Sequence, residues 1–483
     1  MAPGLDGRIL RSSGWVALSL GGNQLVSILS LLVLARLLEP TAFGLMALAW
    51  TVLAFAEQVQ ESGIASALIY RRHEVELGAA SAVVWAPLAS LFLYTAVFFS
   101  APLLAHLLRT PDLADVVRVL GLVLLLRGLM AAPSAILERE LNFRGRTKAD
   151  IGAALVQAAV SVALAFAGLG VWSLVFGALA GAAAQTAILW AVVPWRPHPA
   201  AARLSVLMEM LRYGRFVSLG RMLNVIENTI DNLAVARLLG TTPLGYYAIA
   251  FRLGAYPNSV IGYIVGRVMF PVYSMLRGDL QAVRRVYLQN LQRIAMAALP
   301  VSVGIAVAAK PIVLALCGDK WLMAVTPLRI LAFYGLIRSF VAPAGELFKG
   351  IGKPHLGALF ATANLALAVP LLYVLITSLG LNGAALAMLI LITAVGLPAM
   401  YLAMRLVRAG ILDTARVLAR PMLCSALLAG ALIVLLDATS SLSPLVSLLI
   451  LIGGGLLVFS GSAAIFARPV LTPMWVSIRE TRS

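Results

Sequence analysis

The sequence predicts an all-α membrane protein of 14 transmembrane helices, built as two parallel six-helix lobes with two further helices at the C-terminus. Three observations carry that expectation. The first is composition: of 483 residues, 61% are hydrophobic and only 12% charged, and mean hydropathy is +0.96, whereas soluble domains carry roughly a quarter of charged residues. The second is a repeat. ARLLEPTAFG at 35–44 returns as ARLLGTTPLG at 236–245, with Ala35-Arg36-Leu37-Leu38, Thr41 and Gly44 matched by Ala236-Arg237-Leu238-Leu239, Thr242 and Gly245. Two copies of one polar break between hydrophobic segments indicate two like halves, the architecture of transporters that alternate access about a central site. The third is the regular alternation of basic clusters along the chain.

A span needs about 20 mostly apolar residues to cross a hydrocarbon core of about 30 Å, and the chain divides at that spacing. The first span, 15–37, follows Arg8 and Arg11 and continues to Leu38 without an Ala-x-Ala-like cleavage site, so it reads as a retained span rather than a signal peptide. Glu39-Pro40 separates it from the second, 42–66. Thr110-Pro111 divides 79–107 from 113–136, and Gly168-Leu169-Gly170 divides 150–168 from 171–194. In the second half Thr242-Pro243 parts 216–236 from 244–266, and Gly318-Asp319 parts 293–316 from 324–347. Gly352-Lys353-Pro354 precedes 356–378, Gly380-Leu381-Asn382 leads into 382–404, and Ser443-Pro444 separates 418–437 from 444–467. The expected domains are an N-terminal lobe at 1–195, a cytoplasmic linker helix at 196–215, a C-terminal lobe at 216–410, and the last two helices with a cytoplasmic tail at 411–483. The segment 267–292, like the linker, has the arginine distribution of an amphipathic helix at the membrane surface.

Charge sets the orientation. With the N-terminus inside, outer loops and helix ends hold seven basic residues (Arg36, Arg109, Arg118, Arg237, Lys310, Lys320 and Arg329), four more lie within spans, and all others of the 37 fall on the inner side. Both termini are therefore expected in the cytoplasm. Six spans separate the two motifs, so both halves enter the membrane in the same direction, as parallel repeats. Arg11 and Asn23 map onto Arg212 and Asn224 at the offset of the motif, and a weaker echo sets Pro102, Arg118, Arg127 and Pro133 beside Pro311, Arg329, Arg338 and Pro343.

Several functions are excluded. The net charge of +17 is dispersed in short clusters between apolar segments rather than gathered on one face, which argues against a nucleic-acid partner. Cys317 and Cys424, the two cysteines, are expected near opposite membrane faces, so no disulfide framework is expected. His73, His106, His198 and His355 have neither helical pair spacing nor acidic neighbours suited to a metal, and no phosphate-cradling glycine loop ends in Lys-Ser or Lys-Thr. No catalytic constellation, metal site or cofactor is expected.

Polar residues inside spans mark the candidate site, because a charge at the bilayer centre costs about 2.5–3.5 kcal/mol and tends to face a bundle interior or a wet cavity. Four arginines qualify: Arg127, Arg221, Arg252 and Arg338. Arg221, Asn224, Asn228 and Asp231 form one helical stripe, with Glu227 adjoining; a stripe carrying both charge signs is expected to line the cleft between the halves, opposite Asn23 and Gln24 of the first span. Glu57, Gln60 and Glu61 lie together near the inner end of the second span. Glu57 and Glu61, with Asp231 and Glu227, are candidates for cation or proton coupling; pairing with cavity arginines or a place among the headgroups are the alternatives. Asn258 aligns with Glu57, so coupling through that acid would be asymmetric.

Arg36-Leu37-Leu38-Glu39-Pro40 leading to Phe43-Gly44, Gly170-Val171-Trp172-Ser173-Leu174-Val175, and Leu328-Arg329-Ile330-Leu331 through Gly350-Ile351-Gly352-Lys353-Pro354 resemble the polysaccharide-transporter (Wzx-type) flippases, which share a superfamily with MATE-type and MurJ-type transporters. The resemblance implies a MATE-like bilobed fold and movement of an undecaprenyl-pyrophosphate-linked oligosaccharide from the inner to the outer leaflet of a bacterial cytoplasmic membrane, amid lipids and beside a polysaccharide polymerase and glycosyltransferases. It also implies basic cavity residues that hold the anionic headgroup, at Arg221 and Arg252 with Arg127 and Arg338 as additions. The first span departs from the MurJ pattern in carrying Asn23 and Gln24 rather than an arginine, which favours an exopolysaccharide or O-antigen unit over a peptidoglycan precursor. The competing readings are a cation-coupled multidrug or small-solute antiporter, which predicts twelve spans and an acid-lined lobe, and a membrane polysaccharide polymerase or ligase, which needs a sizeable outer loop.

Overall fold

The computed structural model describes residues 5–60, 75–139, 142–194 and 204–466, and among these the regular structure is entirely helical. In chain order the helices are α1 (Leu5–Leu37), α2 (Pro40–Gln60), α3 (Val75–Leu107), α4 (Leu113–Leu120), α5 (Leu122–Arg139), α6 (Phe143–Phe166), α7 (Val171–Val192), α8 (Leu204–Leu239), α9 (Thr241–Gly254), α10 (Tyr256–Met275), α11 (Leu280–Val307), α12 (Ala309–Leu316), α13 (Val325–Gly350), α14 (Pro354–Leu391), α15 (Leu397–Leu406), α16 (Ile411–Ala438) and α17 (Pro444–Phe466). A 3₁₀ turn at Asp319–Ala324 precedes α13, and a π-helical turn at Ile392–Gly396 joins α14 to α15.

Ten stretches among the described residues are long and apolar enough to cross a membrane. A shorter apolar helix, Gly21–Leu37, falls within the expected span 15–37. One stretch, Pro354–Leu406, runs for 53 residues; as a straight helix it would extend about 80 Å, more than twice a hydrocarbon core. It does not run straight. Gly380 takes φ 60 and ψ −136, a conformation that side-chain-bearing residues rarely adopt, and Gly383 comes back against the backbone of Leu375 and Ile376. The chain reverses between the expected spans 356–378 and 382–404.

Two compact units divide the chain, Met1–Gly245 and Tyr246–Ser483, and the division falls inside α9. In the first unit α6 and α7 make the most extensive pairing, with α1 on α6, α3 on α5 and α2 on α8. Small residues permit the α6–α7 approach: Ser161 and Gln157 lie against Gly177 and Gly181, the close packing that replaces hydrophobic driving force between helices in lipid. Ile136, Leu137, Ala149, Leu189 and Val193 form a core between α5, α6 and α7. In the second unit α13 packs on α10, α11 and α14, around a core that includes Tyr273, Leu291, Leu347, Phe348 and Met400. The last helices, α16 and α17, pack on each other and on α11 and α12, burying Ala308, Leu428, Leu432 and Leu451. Arg284 of α11 meets Asp413 in the first turn of α16 at 2.6 Å, while Asp413 also accepts the Gly410 N–H at 2.9 Å and so caps its own helix.

The two copies of the repeated motif touch each other within the first unit. Pro40 opens α2 and Thr241 opens α9, at matched positions. The hydroxyls of Thr41 and Thr242, also matched, are 2.7 Å apart. A side chain at Gly44 would run into the carbonyl of Thr241, and one at Gly245 into the carbonyl of Pro40. The contact is reciprocal, and it requires glycine on both sides.

Candidate functional site

In the first unit, α2 carries Glu57 into contact with α5, where its Oε1 lies 3.2 Å from Nη2 of Arg127. One turn on, Gln60 donates from Nε2 to Ser90 Oγ of α3 at 2.7 Å and to the Leu124 carbonyl of α5 at 3.0 Å. Ser90 in turn donates to the Ala86 carbonyl at 2.6 Å, and Gly128 leaves room for its hydroxyl. This is a polar seam through three apolar helices. Of the alternatives open for Glu57 in the sequence, the structure has it paired with an arginine. Glu61 lies outside the described residues. Asn23 is exposed on α1, and Gln24 is half-buried.

On α8, Asn224 and Asn228 are exposed, Glu227 is half-buried and Asp231 is buried, at 2% exposure. Asn228 turns its amide back to the Asn224 carbonyl at 2.6 Å. Asp231 Oδ1 accepts the Asn232 N–H at 2.9 Å, and the Asn232 amide reaches Thr51 Oγ1 on α2 at 3.4 Å. The stripe therefore changes environment along its length, from accessible amides to a buried acid. The Arg221 side chain falls outside the described residues.

In the second unit, the two remaining arginines flank a crossing of α9 and α13. Gly335 of α13 packs against the backbone of Gly254 and Ala255, and Gly254 against Leu331 and Ala332. Backbone contact at that point brings neighbouring side chains together: the Phe251 and Tyr334 rings lie tilted with centroids 5.6 Å apart, and the half-buried Arg338 donates to the Tyr334 hydroxyl with its guanidinium carbon 5.7 Å from that ring's centroid. Arg252, next to Phe251 in sequence, is exposed. Tyr334 itself is 3% exposed.

Sequence reasoning missed one further polar group in the first unit. Asp150 of α6 accepts from the Gln185 amide of α7 at 3.0 Å, and Arg146 lies 4.0 Å from the same carboxylate and 3.4 Å from Ser134. Gln185, a lone amide in the apolar run of α7, was the available signal. Among the described residues no three of His, Cys, Asp and Glu gather in a way that could hold a metal ion.

Comparison with known proteins places this architecture. Residues 33–326 match the family described as "Polysaccharide biosynthesis protein". The succinoglycan biosynthesis transport protein ExoT of Rhizobium meliloti (strain 1021) is 29% identical over 362 residues, covering 73% of this chain and 72% of that one. The lipopolysaccharide biosynthesis protein WzxC of Escherichia coli (strain K12) is 24% identical over 356 residues, covering 72% and 71%. In fold, the chain is similar to the lipid II flippase MurJ in an inward closed conformation, with a TM-score of 0.74 at 15% identity over 94% of this chain and 99% of that one. It is also similar to an inward-facing MATE-family multidrug resistance transporter of the MOP superfamily, with a TM-score of 0.65 at 17% identity over 80% and 94%. With its family-model match spanning more than half of its length, this multi-pass helical chain belongs to the polysaccharide biosynthesis protein family.

Proposed function

We propose that this protein is a flippase that carries an undecaprenyl-pyrophosphate-linked oligosaccharide, of exopolysaccharide or O-antigen type, from the inner to the outer leaflet by alternating access. The observation that carries the reading is the placing of Arg252 and Arg338 on two helices whose backbones meet at Gly254 and Gly335, Arg338 within a stretch long and apolar enough to span a membrane. The names of the relatives, which concern polysaccharide biosynthesis and transport, support the substrate class.

The physical need is plain. A diphosphate cannot cross hydrocarbon unaided, whereas guanidinium groups pair with its oxygens through paired N–H donors. In this reading Arg252 and Arg338 receive the headgroup with Arg221, while Asn224, Asn228, Asn23 and Gln24 meet the sugars and the polyprenyl tail stays in lipid. Arg127 has Glu57 beside it, so its share of the anion is smaller, and Glu57, with Asp231, Glu227 and Glu61, is a candidate for coupling to an ion. The 14 spans, the two six-helix lobes at 1–195 and 216–410 with a linker and an appended pair, and cytoplasmic termini belong to the same proposal, as do a polymerase and glycosyltransferases as neighbours in the pathway. An inside-negative potential would favour outward movement of the anion by about 2.3 kcal/mol per charge per 100 mV.

The test is transport of a fluorescent polyprenyl-diphosphate oligosaccharide by purified protein in liposomes. Arg252→Ala and Arg338→Ala are each expected to abolish flipping at unchanged protein level. Undiminished flipping in both would remove the arginines from the site.

A further inference from the structure

We infer that Tyr334 is the positioning residue of the anion site, fixing the direction of the Arg338 guanidinium; the inference rests on the proposed binding of a diphosphate by Arg338. Three observations lead there. Tyr334 is almost fully enclosed, at 3% exposure, and a buried phenol needs a hydrogen-bond partner. Its partner is Arg338, one turn along the same helix. The ring also packs against others at a tilt: Tyr247 against Phe251 at 5.9 Å and Phe251 against Tyr334 at 5.6 Å between centroids, where the backbones of two helices meet at Gly254 and Gly335. An arginine side chain otherwise samples many rotamers, and ordering it on binding costs affinity. A phenol fixed in the core removes much of that cost in advance.

The weaker repeat sharpens the point. Arg127 is the counterpart of Arg338, yet the residue four before it is Val123, and its partner is the carboxylate of Glu57. In the second copy the position matching Glu57 is Asn258, and the hydroxyl of Tyr334 meets Arg338. The two copies of one arginine thus differ in a contact, a carboxylate from another helix in one and a phenol of its own helix in the other.

Tyr334→Phe keeps the ring and its packing and removes the hydroxyl alone. Full-length protein in detergent is titrated with inorganic pyrophosphate, reading the rise in unfolding temperature, for the wild type, Tyr334→Phe, Arg338→Ala and the double variant. The half-saturating pyrophosphate concentration is expected to rise roughly tenfold in Tyr334→Phe, on the scale of one hydrogen bond to a charged group. The double variant is expected to bind no more weakly than Arg338→Ala alone, since Tyr334 acts through that arginine. Additive losses in the double variant, or an unchanged titration in Tyr334→Phe beside a weakened Arg338→Ala, would overturn the role of Tyr334 and leave the function standing. Titrations unchanged in both single variants, or no response in the wild type, would overturn the diphosphate site itself. If Tyr334→Phe also lowers the ligand-free unfolding temperature, the double-variant comparison still decides.

Discussion

Glu57 and Arg127 sit at 17% and 30% side-chain exposure, so each is partly withdrawn from water and each depends on the other. Replacing Glu57 by Gln leaves the guanidinium without this opposite charge. Complete burial would cost 3–5 kcal/mol in such a case; with this residual exposure a loss of about 1–2 kcal/mol is expected, read as a lower unfolding temperature in detergent. The Glu57→Gln/Arg127→Leu variant is expected to recover most of it. The sequence marked both residues, because a charge in an apolar span is conspicuous. It could not pair them, since a contact between α2 and α5 joins positions far apart in the chain. Asp150 and Gln185 show the converse: the lone amide of Gln185 gave a signal without a partner, and only the α6–α7 pairing joins it to Asp150. Tyr334 was invisible for a similar reason. A tyrosine in an apolar run reads as core, and its role depends on a hydroxyl one turn from an arginine.

At the scale of the helices, glycines decide where backbones approach. Gly44→Ala and Gly245→Ala each place a methyl against a carbonyl of the opposite motif, and each is expected to cost about 1–3 kcal/mol, seen as a reduced unfolding temperature. The 2.7 Å separation of the Thr41 and Thr242 hydroxyls offers a direct check: cysteines at these two positions are expected to form a disulfide under mild oxidation, detected by a mobility shift after cleavage between them, whereas a pair displaced by a turn is not. Gly380→Ala forces a methyl-bearing residue into φ 60 and is expected to cost about 1–3 kcal/mol. The turn at Gly380-Leu381-Asn382 was legible, because apolar runs on either side were each long enough to span.

For the molecule as a whole, hydropathy and repetition left little doubt about class, since nothing but a bilayer accommodates so apolar a chain. Orientation rests on the distribution of arginine and lysine, and reporter fusions test it: a green fluorescent protein after Arg408 is expected to fluoresce, and alkaline phosphatase after Arg109 to be active. The opposite pattern would invert the proposed direction of transport. What composition and spacing could not supply is which positions meet, because the packing of each helix is settled by small residues and polar partners rather than by the pattern of hydropathy.

The glycine contact between the motifs has an evolutionary consequence. Each copy offers the other what it receives, a bare α-carbon for a carbonyl and a hydroxyl for a hydroxyl. Such self-complementarity is the hallmark of an isologous interface, in which one patch meets its own twin about a dyad. A half-length ancestor could have dimerised through this patch before any gene fusion, and one mutation to glycine would then have relieved both sides of the junction at once.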